Sequence, residues 1–391
     1  MAILYISYDG ILEPLGSSQV LNYLNGIASK DKEIILLSYE KISDLIDSER
    51  VHKLQKKLSK DNIEWKFLKY HKNPAILASI FDLFCGFLHI IPFLFSRKIK
   101  IIHIRGYMPM LLGLLVKIIS SGKLIFDTRG FWPDEKADRS NWSRASKRYK
   151  FFKNFERICL RYSDKVICLT HQAKDIYIEM MDPSDFKKIE VIRTCTDLKK
   201  FYVNIPSRHS TDVLNFGYLG SIDTAYDISK VFKFFNHFLN HKDANLYIFT
   251  NGSKEELNLL IDKYDLPKDH IYIRKIGFDE VSEELNLIDI GIFYLNINFS
   301  IKASMPTKIG EFFSKGIPII CNKFNKDIEK IINKNNGYLL NFKKIEHHDL
   351  KKIEKLADLD RNKIHEFARK NFSLEQGIQQ YKEVYEELDT Q

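Results

Sequence analysis

Short apolar runs rich in Ile, Leu and Val recur along the chain, and most are followed by a longer stretch of helical periodicity. That alternation selects a parallel α/β architecture. Parallel strands need long crossovers, and strands covered on both faces read as continuous apolar runs. In the first half, Ala2–Ser7, Glu33–Ser38, Glu64–Leu68, Lys100–Ile104, Leu124–Thr128, Lys165–Leu169 and Ile189–Ile192 read as strands. The series breaks at Asn204–Thr211, a polar stretch with a proline and no periodicity, which marks a domain boundary. A second series follows at Val213–Tyr218, Asn245–Thr250, His270–Arg274, Ile288–Tyr294, Ile317–Cys321 and Tyr338–Asn341. Helical segments such as Asp227–Leu239 and Lys254–Tyr264 lie between these strands. Leu374, Ile378, Tyr381, Val384 and Tyr385 give Ser373–Leu388 a helical apolar stripe. The expected organisation is one α/β domain over 1–205, a second over 206–372, and a terminal helix over 373–391. In open parallel sheets ligands sit beyond the carboxyl ends of the strands, so the chemistry belongs in those loops.

A chain of 391 residues that is 45% hydrophobic fills two cores of ordinary size, which excludes a disordered protein. Its net charge of +9 is compatible with anionic partners but selects none, because Lys, Asn and Ile are abundant throughout. Nucleic acid is set aside, since no basic recognition helix or aromatic RNA motif accompanies the charge. Five scattered cysteines without a CxxC pair point to reduced thiols and a cytosolic setting. The start, Met1 to Ser7, lacks the basic and long apolar regions of a secretory signal. Pro74–Phe95 is strongly apolar but carries Asp82, His89 and Pro92, so the expectation is a buried or membrane-surface helix pair rather than a span.

Four segments carry chemistry. The loop Ser7–Gln19 ends in Gly16-Ser17-Ser18 at a helix start, where free amides and hydroxyls suit a phosphate; a glycine turn with a serine cap is the alternative. It is neither a Rossmann glycine fingerprint nor a Walker A loop. The segment Phe126–Glu135 follows a strand and holds Arg129, a candidate clamp for phosphate or carboxylate, with Asp134 and Glu135 as acid, base or sugar-hydroxyl ligands. In Ser304–Pro318, Ser304 is a candidate N-cap, Pro306 suits a first turn, and Ile309, Phe312 and Phe313 form the buried stripe. Gly316 ends that helix, so Thr307 and Lys308 stand at its start with Glu311 one turn on. A phosphate at the start and a carboxylate gripping ribose hydroxyls would suit a nucleoside diphosphate. Gly217–Ser221 ends a strand with Gly220 and Ser221 in a turn fit for close approach to an anion.

Together these segments resemble the bacterial nucleotide-sugar-dependent glycosyltransferases of family 4, which have the GT-B fold of two Rossmann-like domains facing a cleft. The resemblance runs through Asp9–Gln19, Asp127–Glu135, Val191–Asp197, Gly217–Gly220 and Pro306–Pro318 in order. It implies an acceptor-side first domain, a donor-side second domain, and a last helix returning to the first. It implies Gly16 at the pyrophosphate and Glu311 at the ribose; with the residue reading above, the candidate donor set is Gly16, Ser17, Gly220, Ser221, Arg193, Ser304, Pro306, Thr307, Lys308 and Glu311, with Arg129, Asp134, Glu135 and Lys308 for the chemistry.

Two departures bear on the donor site. Eight positions before Glu311, where the family often has a second glutamate, stands Ala303. The loop Gly220–Tyr226 lacks the family's Arg and Lys, leaving Lys308, Arg193 and Arg129 as candidate cations. The implied activity is transfer from a nucleotide sugar to a glycan or lipid-linked acceptor in capsule or O-antigen synthesis. Configuration would be retained, with no metal and no cofactor beyond the co-substrate. The enzyme would sit in the cytoplasm, with the inner face of the plasma membrane as a candidate site. A nucleotide-sugar epimerase and an inactive sugar-nucleotide-binding protein are the alternatives. Asp358-Leu-Asp360 reads as solvated surface rather than a metal-binding DxD.

Overall fold

The computed structural model describes residues 1–139, 142–203, 213–222, 225–277 and 279–390. The chain forms two compact units: Met1–Arg193 with Leu374–Gln391, and Thr194–Ser373.

In the first unit the strands are β1 (Ala2–Ser7), β2 (Glu33–Glu40), β3 (Ile63–Lys69), β4 (Ile99–Arg105), β5 (Lys123–Asp127), β6 (Lys165–Cys168) and β7 (Ile189–Val191). They form a seven-stranded sheet in the order β3-β2-β1-β4-β5-β6-β7. Every pair is parallel; β1 lies between β2 and β4, with Tyr5 opposite Leu36 and His103. All six residues of β1 are buried, as expected where helices cover both faces. The chain passes from β3 to β4 through α1 (Ala75–Ser96), from β4 to β5 through α2 (Met110–Ser120), and from β5 to β6 through α3 (Trp132–Arg139) and α4 (Lys147–Tyr162). Right-handed crossovers running in one direction along the sheet put α1, α2 and α4 on the same face, and α2 packs against both α1 and α4. The terminal helix Leu374–Thr390 packs on the helix Asn22–Ile27 and on β4, with Tyr381 edge-on to Tyr23.

α1 corrects the expectation of a helix pair: it is one continuous helix with Pro92 inside it. Pro92 is itself exposed and lies near the carboxyl end of the helix. Its stretch Leu77–Ser96, with a mean hydropathy of 1.9, is long and apolar enough to cross a membrane by length and composition.

The second unit carries β8 (Leu214–Leu219), β9 (Ala244–Phe249), β10 (Ile271–Arg274), β11 (Ile290–Ile292), β12 (Ile319–Cys321) and β13 (Gly337–Leu339). These form a six-stranded parallel sheet in the order β10-β9-β8-β11-β12-β13. Phe216 of β8 packs edge-on against Phe234 and Phe238 of the helix Ile228–Leu239, which anchors that helix to the sheet. Between β11 and β12 runs α5 (Thr307–Ser314), whose Phe312 lies so close to Gly291 that a methyl there would stand 2.9 Å from its ring.

The polar stretch 204–211 lies outside the described residues. The change of unit comes at Arg193–Thr194, ahead of the 205/206 boundary read from the sequence. Residues 194–203 join the second unit because the Thr194 hydroxyl donates to the Met305 carbonyl at 2.8 Å and the Thr196 amide to Phe372 at 2.7 Å.

Candidate functional site

In the second unit the candidate site is built on α5. Pro306 is its N-cap rather than a first-turn residue, because its φ of −61° and ψ of 133° place it just outside the helix. Ser304, expected to cap, instead closes the preceding 3-10 turn, and its carbonyl accepts the Asn325 side-chain amide at 2.8 Å. The helix end follows the sequence reading. Gly316 takes φ +69° and donates to Phe313 at 2.9 Å while Ile317 donates to Phe312 at 2.9 Å, a Schellman closure. Thr307 and Glu311 keep exposed edges, whereas Lys308 is buried.

Lys308 is the unusual residue. Its ammonium has no hydrogen-bond partner, and it lies 3.6 Å from the centre of the Tyr226 ring, 5.1 Å from Tyr218 and 5.4 Å from Phe293. Aromatic faces hold a cation partly desolvated but leave its hydrogen-bonding capacity unspent. Burial pushes the Lys308 amine down to about 7, against the opposing pull of Glu311. Burial likewise pushes the Glu311 carboxyl up to about 7, against Lys308. Both groups sit in an environment that penalises their charges, as expected of a site awaiting a charged ligand.

Directly above lies the turn after β8. Gly220 has φ +113°, and its amide donates to Phe249 at 2.9 Å. Ser221 is exposed, and its carbonyl accepts the Tyr218 hydroxyl. Gly220, Ser221, Lys308 and Glu311 therefore belong to one unit, at the carboxyl end of its sheet. Arg193 does not: it closes the first unit, with Nη2 3.4 Å from His171 Nδ1. Ala303 is buried, so the position of the expected second glutamate presents no carboxylate. Asp360 caps the helix Arg361–Asn371 by accepting from Asn362, in keeping with its reading as surface.

The first unit has its own polar centre at the ends of β1, β4 and β5. Asp127 is fully buried and accepts the Tyr381 hydroxyl at 2.9 Å. Around it stand His103 Nε2 at 3.6 Å, Arg129 at 3.8 Å and Arg105 at 4.0 Å. Burial alone would raise the Asp127 carboxyl, but the neighbouring Arg129, His103 and Arg105 together hold it at about 2. The His103 imidazole is pushed down by burial. Arg129 adopts φ +57°, a strained conformation for a side-chain-bearing residue.

Beside this centre a pocket of about 230 Å³ is lined by Arg105, Arg129, Tyr107, Trp132 and Glu135, among others. The sequence treats Asp134 and Glu135 alike; the structure separates them. Trp132 opens α3, so the two carboxylates sit in its first turn and diverge. Asp134 is buried and held by the Tyr149 hydroxyl at 2.7 Å and Lys153 at 3.0 Å, and it is absent from the pocket wall. Glu135 lines the pocket, and burial raises its carboxyl above the ordinary range.

Gly16 and Ser17 lie in the first unit, where the structure gives Gly16 a packing requirement of its own. The helix begins earlier, at Pro14, and the Ser17 amide is already spent on Glu13 at 2.8 Å. Gly16 has ordinary helical φ; glycine is needed because a methyl would meet the Gly10 carbonyl at 1.9 Å. The close approach is to the protein's own loop. That loop is pinned by Glu40, which accepts the Ile11 amide at 2.8 Å and the Leu12 amide at 3.1 Å. The sequence does not single out Glu40, Arg105 or Tyr226, and marks Tyr381 only as part of a helical stripe, because each acts on partners remote along the chain. Among the described residues no group of three or more His, Cys, Asp or Glu is placed to hold a metal ion.

Residues 61–200 match the family model described as Glycosyltransferase Family 4. Among solved structures, a glycosyltransferase from Rickettsia africae aligns with TM-score 0.72 at 15% identity, over 99% of this chain and 98% of that one. Sucrose-phosphate synthase from Thermosynechococcus elongatus gives 0.72 at 13% identity, over 100% and 99%. HepE from Anabaena, in complex with UDP and glucose, gives 0.65 at 12% identity, over 98% and 99%. No curated protein matches the chain in sequence. The structural likenesses establish the GT-B fold.

Proposed function

We propose that this chain is a glycosyltransferase of family 4 that moves a sugar from a nucleoside-diphosphate sugar to a glycan or lipid-linked acceptor in bacterial surface polysaccharide synthesis. The observation that carries the reading is the buried, unbonded Lys308 ammonium under Gly220, with Glu311 one helical turn on. An anionic diphosphate supplies the charge that this cation lacks, and the amides at the start of α5 add their partial positive charge. Glu311 accepts the ribose hydroxyls. UDP is the first nucleotide to try, since the Anabaena relative is described with it.

In the reaction, negative charge builds on the departing diphosphate, and stabilising it is the largest single demand on the protein. Lys308 and the Thr307 amide meet that demand from the chain itself, which supports a mechanism without metal. Retention of configuration rests on the family resemblance. Arg129 and Glu135 face the pocket of the first unit, where we place the acceptor. Glu135, whose carboxyl burial raises above the ordinary range, is the group suited to exchange a proton with an acceptor hydroxyl. Gly16 and Ser17 contribute by shaping the loop above that pocket.

The test is isothermal titration of the protein with UDP, followed by an acceptor screen with UDP-glucose and UDP-galactose. Binding that is lost in Lys308→Ala and Glu311→Ala, with melting unchanged, supports the donor site. Full affinity in both variants removes it. Tight UDP binding without transfer to any acceptor would point to a binding protein, and isomerisation of the donor alone to an epimerase.

A further inference from the structure

The helices α1, α2 and α4 present a continuous outer face of unusual composition. On α1, Leu77, Phe81, Phe84 and Leu88 are exposed at helical spacing, and only 28% of its apolar stretch is buried. On α2, which packs beside it, Leu111, Leu115 and Ile118 are exposed at the same spacing. Soluble proteins rarely leave so many large apolar side chains together in water. On the far side of α2, α4 exposes Lys147, Arg148, Lys150, Arg157 and Arg161, interleaved with Phe151, Ile158 and Tyr162. The one acidic residue of α4, Glu156, is fully buried.

α1 is bound to the sheet on its other side. Asp82 is buried and accepts from the Tyr8 hydroxyl and the His71 amide, each at 3.0 Å. The Tyr39 hydroxyl donates to the Asp82 carbonyl at 3.0 Å, and a methyl on Gly86 would collide with the Tyr39 oxygen. A helix tied at its middle in this way, with a buried carboxylate at the seam, cannot leave the unit to cross a bilayer without exposing that carboxylate to lipid. It can lie on one.

We infer that this face docks on an anionic lipid bilayer, with α1 and α2 seated among the acyl chains near the interface and the cations of α4 on acidic head groups. The charge pattern selects the occupant: apolar side chains enter the lipid while a neighbouring row of Arg and Lys grips its negative surface. The inference goes beyond the transfer reaction and does not depend on it, since no residue of this face belongs to either site.

The experiment is co-sedimentation of the full chain with vesicles of phosphatidylcholine alone or mixed with phosphatidylglycerol. Sedimentation is expected with the anionic vesicles only, and it should weaken as salt rises. Arg157→Glu with Arg161→Glu should lower binding by about fivefold or more per cation removed. Phe84→Ser with Leu115→Ser should lower it as well, with melting and UDP titration unchanged in both double variants. Those unchanged readouts keep a failed docking face separate from a failed donor site. No sedimentation, equal sedimentation with neutral vesicles, or full binding in the double variants overturns the inference. So does a dimer in analytical ultracentrifugation that Phe84→Ser abolishes, because the face would then belong to a second copy. Retention on RNA in place of vesicles, abolished by the α4 variants, would overturn it too.

Discussion

A methyl group built on Gly220 would stand 2.9 Å from the Nζ of Lys308. The turn after β8 and the start of α5 therefore meet at a contact that leaves no room for a side chain. Gly220→Ala also demands φ +113° of an alanine. The expected outcome is a loss of stability of about 1–3 kcal/mol and a larger loss of UDP affinity, since the amine must move. Urea denaturation and titration calorimetry on the same preparation check both. Retained affinity would show that Lys308 lies outside the nucleotide site.

Lys308 and Glu311 make stability depend on pH in opposite senses. Lys308 falls to about 7 in the fold from 10.5. Its contribution is thus fully present above the unfolded value and is lost as pH drops toward 7. Glu311 rises to about 7 from 4.5, so its contribution is present at acid pH and is lost as pH climbs toward 7. Their sum is least favourable near neutrality. Melting temperature against pH should show Lys308→Met flattening the alkaline limb and Glu311→Gln the acid limb. UDP bound next to Lys308 should draw a proton onto it at mildly alkaline pH, visible as buffer-dependent heat in calorimetry.

The parallel sheets were legible because strands covered on both faces leave a signature of continuous apolar residues, as in Ala2–Ile6 and Ile101–Ile104. The end of α5 was legible too, since Gly316 at φ +69° is a local requirement. What escaped the sequence reading depends on distance along the chain. Asp127 is bonded by Tyr381, 254 residues away, and nothing near either residue announces the other. Ser304 and Asp134 carry the right chemistry for a cap and a catalytic acid. Ser304 stands two residues ahead of the Pro306 N-cap, too early to cap the helix, and Tyr149 and Lys153 take Asp134. Glycine at a helix start suits an anion turn, but nothing local to Gly16 announces that it must also admit the Gly10 backbone.

Asp127 offsets Arg105 and Arg129 in the interior of the first unit. Asp127→Asn leaves two buried guanidinium groups sharing no anion, and a loss of about 3–5 kcal/mol is expected. Tyr381→Phe removes one hydrogen bond to a charged acceptor and should cost about 1.5–3 kcal/mol. Because the carboxyl is held at about 2 against 3.8 unfolded, its contribution is complete above pH 3.8 and is lost as pH falls through 2. Acid denaturation of wild type should therefore be steeper in that window than that of Asp127→Asn.

Asp134 and Glu135 are neighbours in sequence with separate assignments, and substituting each tests them independently. Asp134→Asn weakens the links to Tyr149 and Lys153 and leaves the Lys153 ammonium beside Glu156 without its second anion. The expected result is a loss of about 1–3 kcal/mol in unfolding free energy with little change in turnover per folded molecule. Glu135→Gln removes a titrating group from the pocket wall without emptying a buried network, so melting should hold while turnover drops about 100-fold, as for the loss of a general acid or base. A pH–rate profile distinguishes chemistry from positioning. The limb set by the raised Glu135 carboxyl should vanish in Glu135→Gln and persist in Asp134→Asn. If both variants turned over as wild type does, the acceptor chemistry would have to lie with other groups of the pocket, Arg129 foremost.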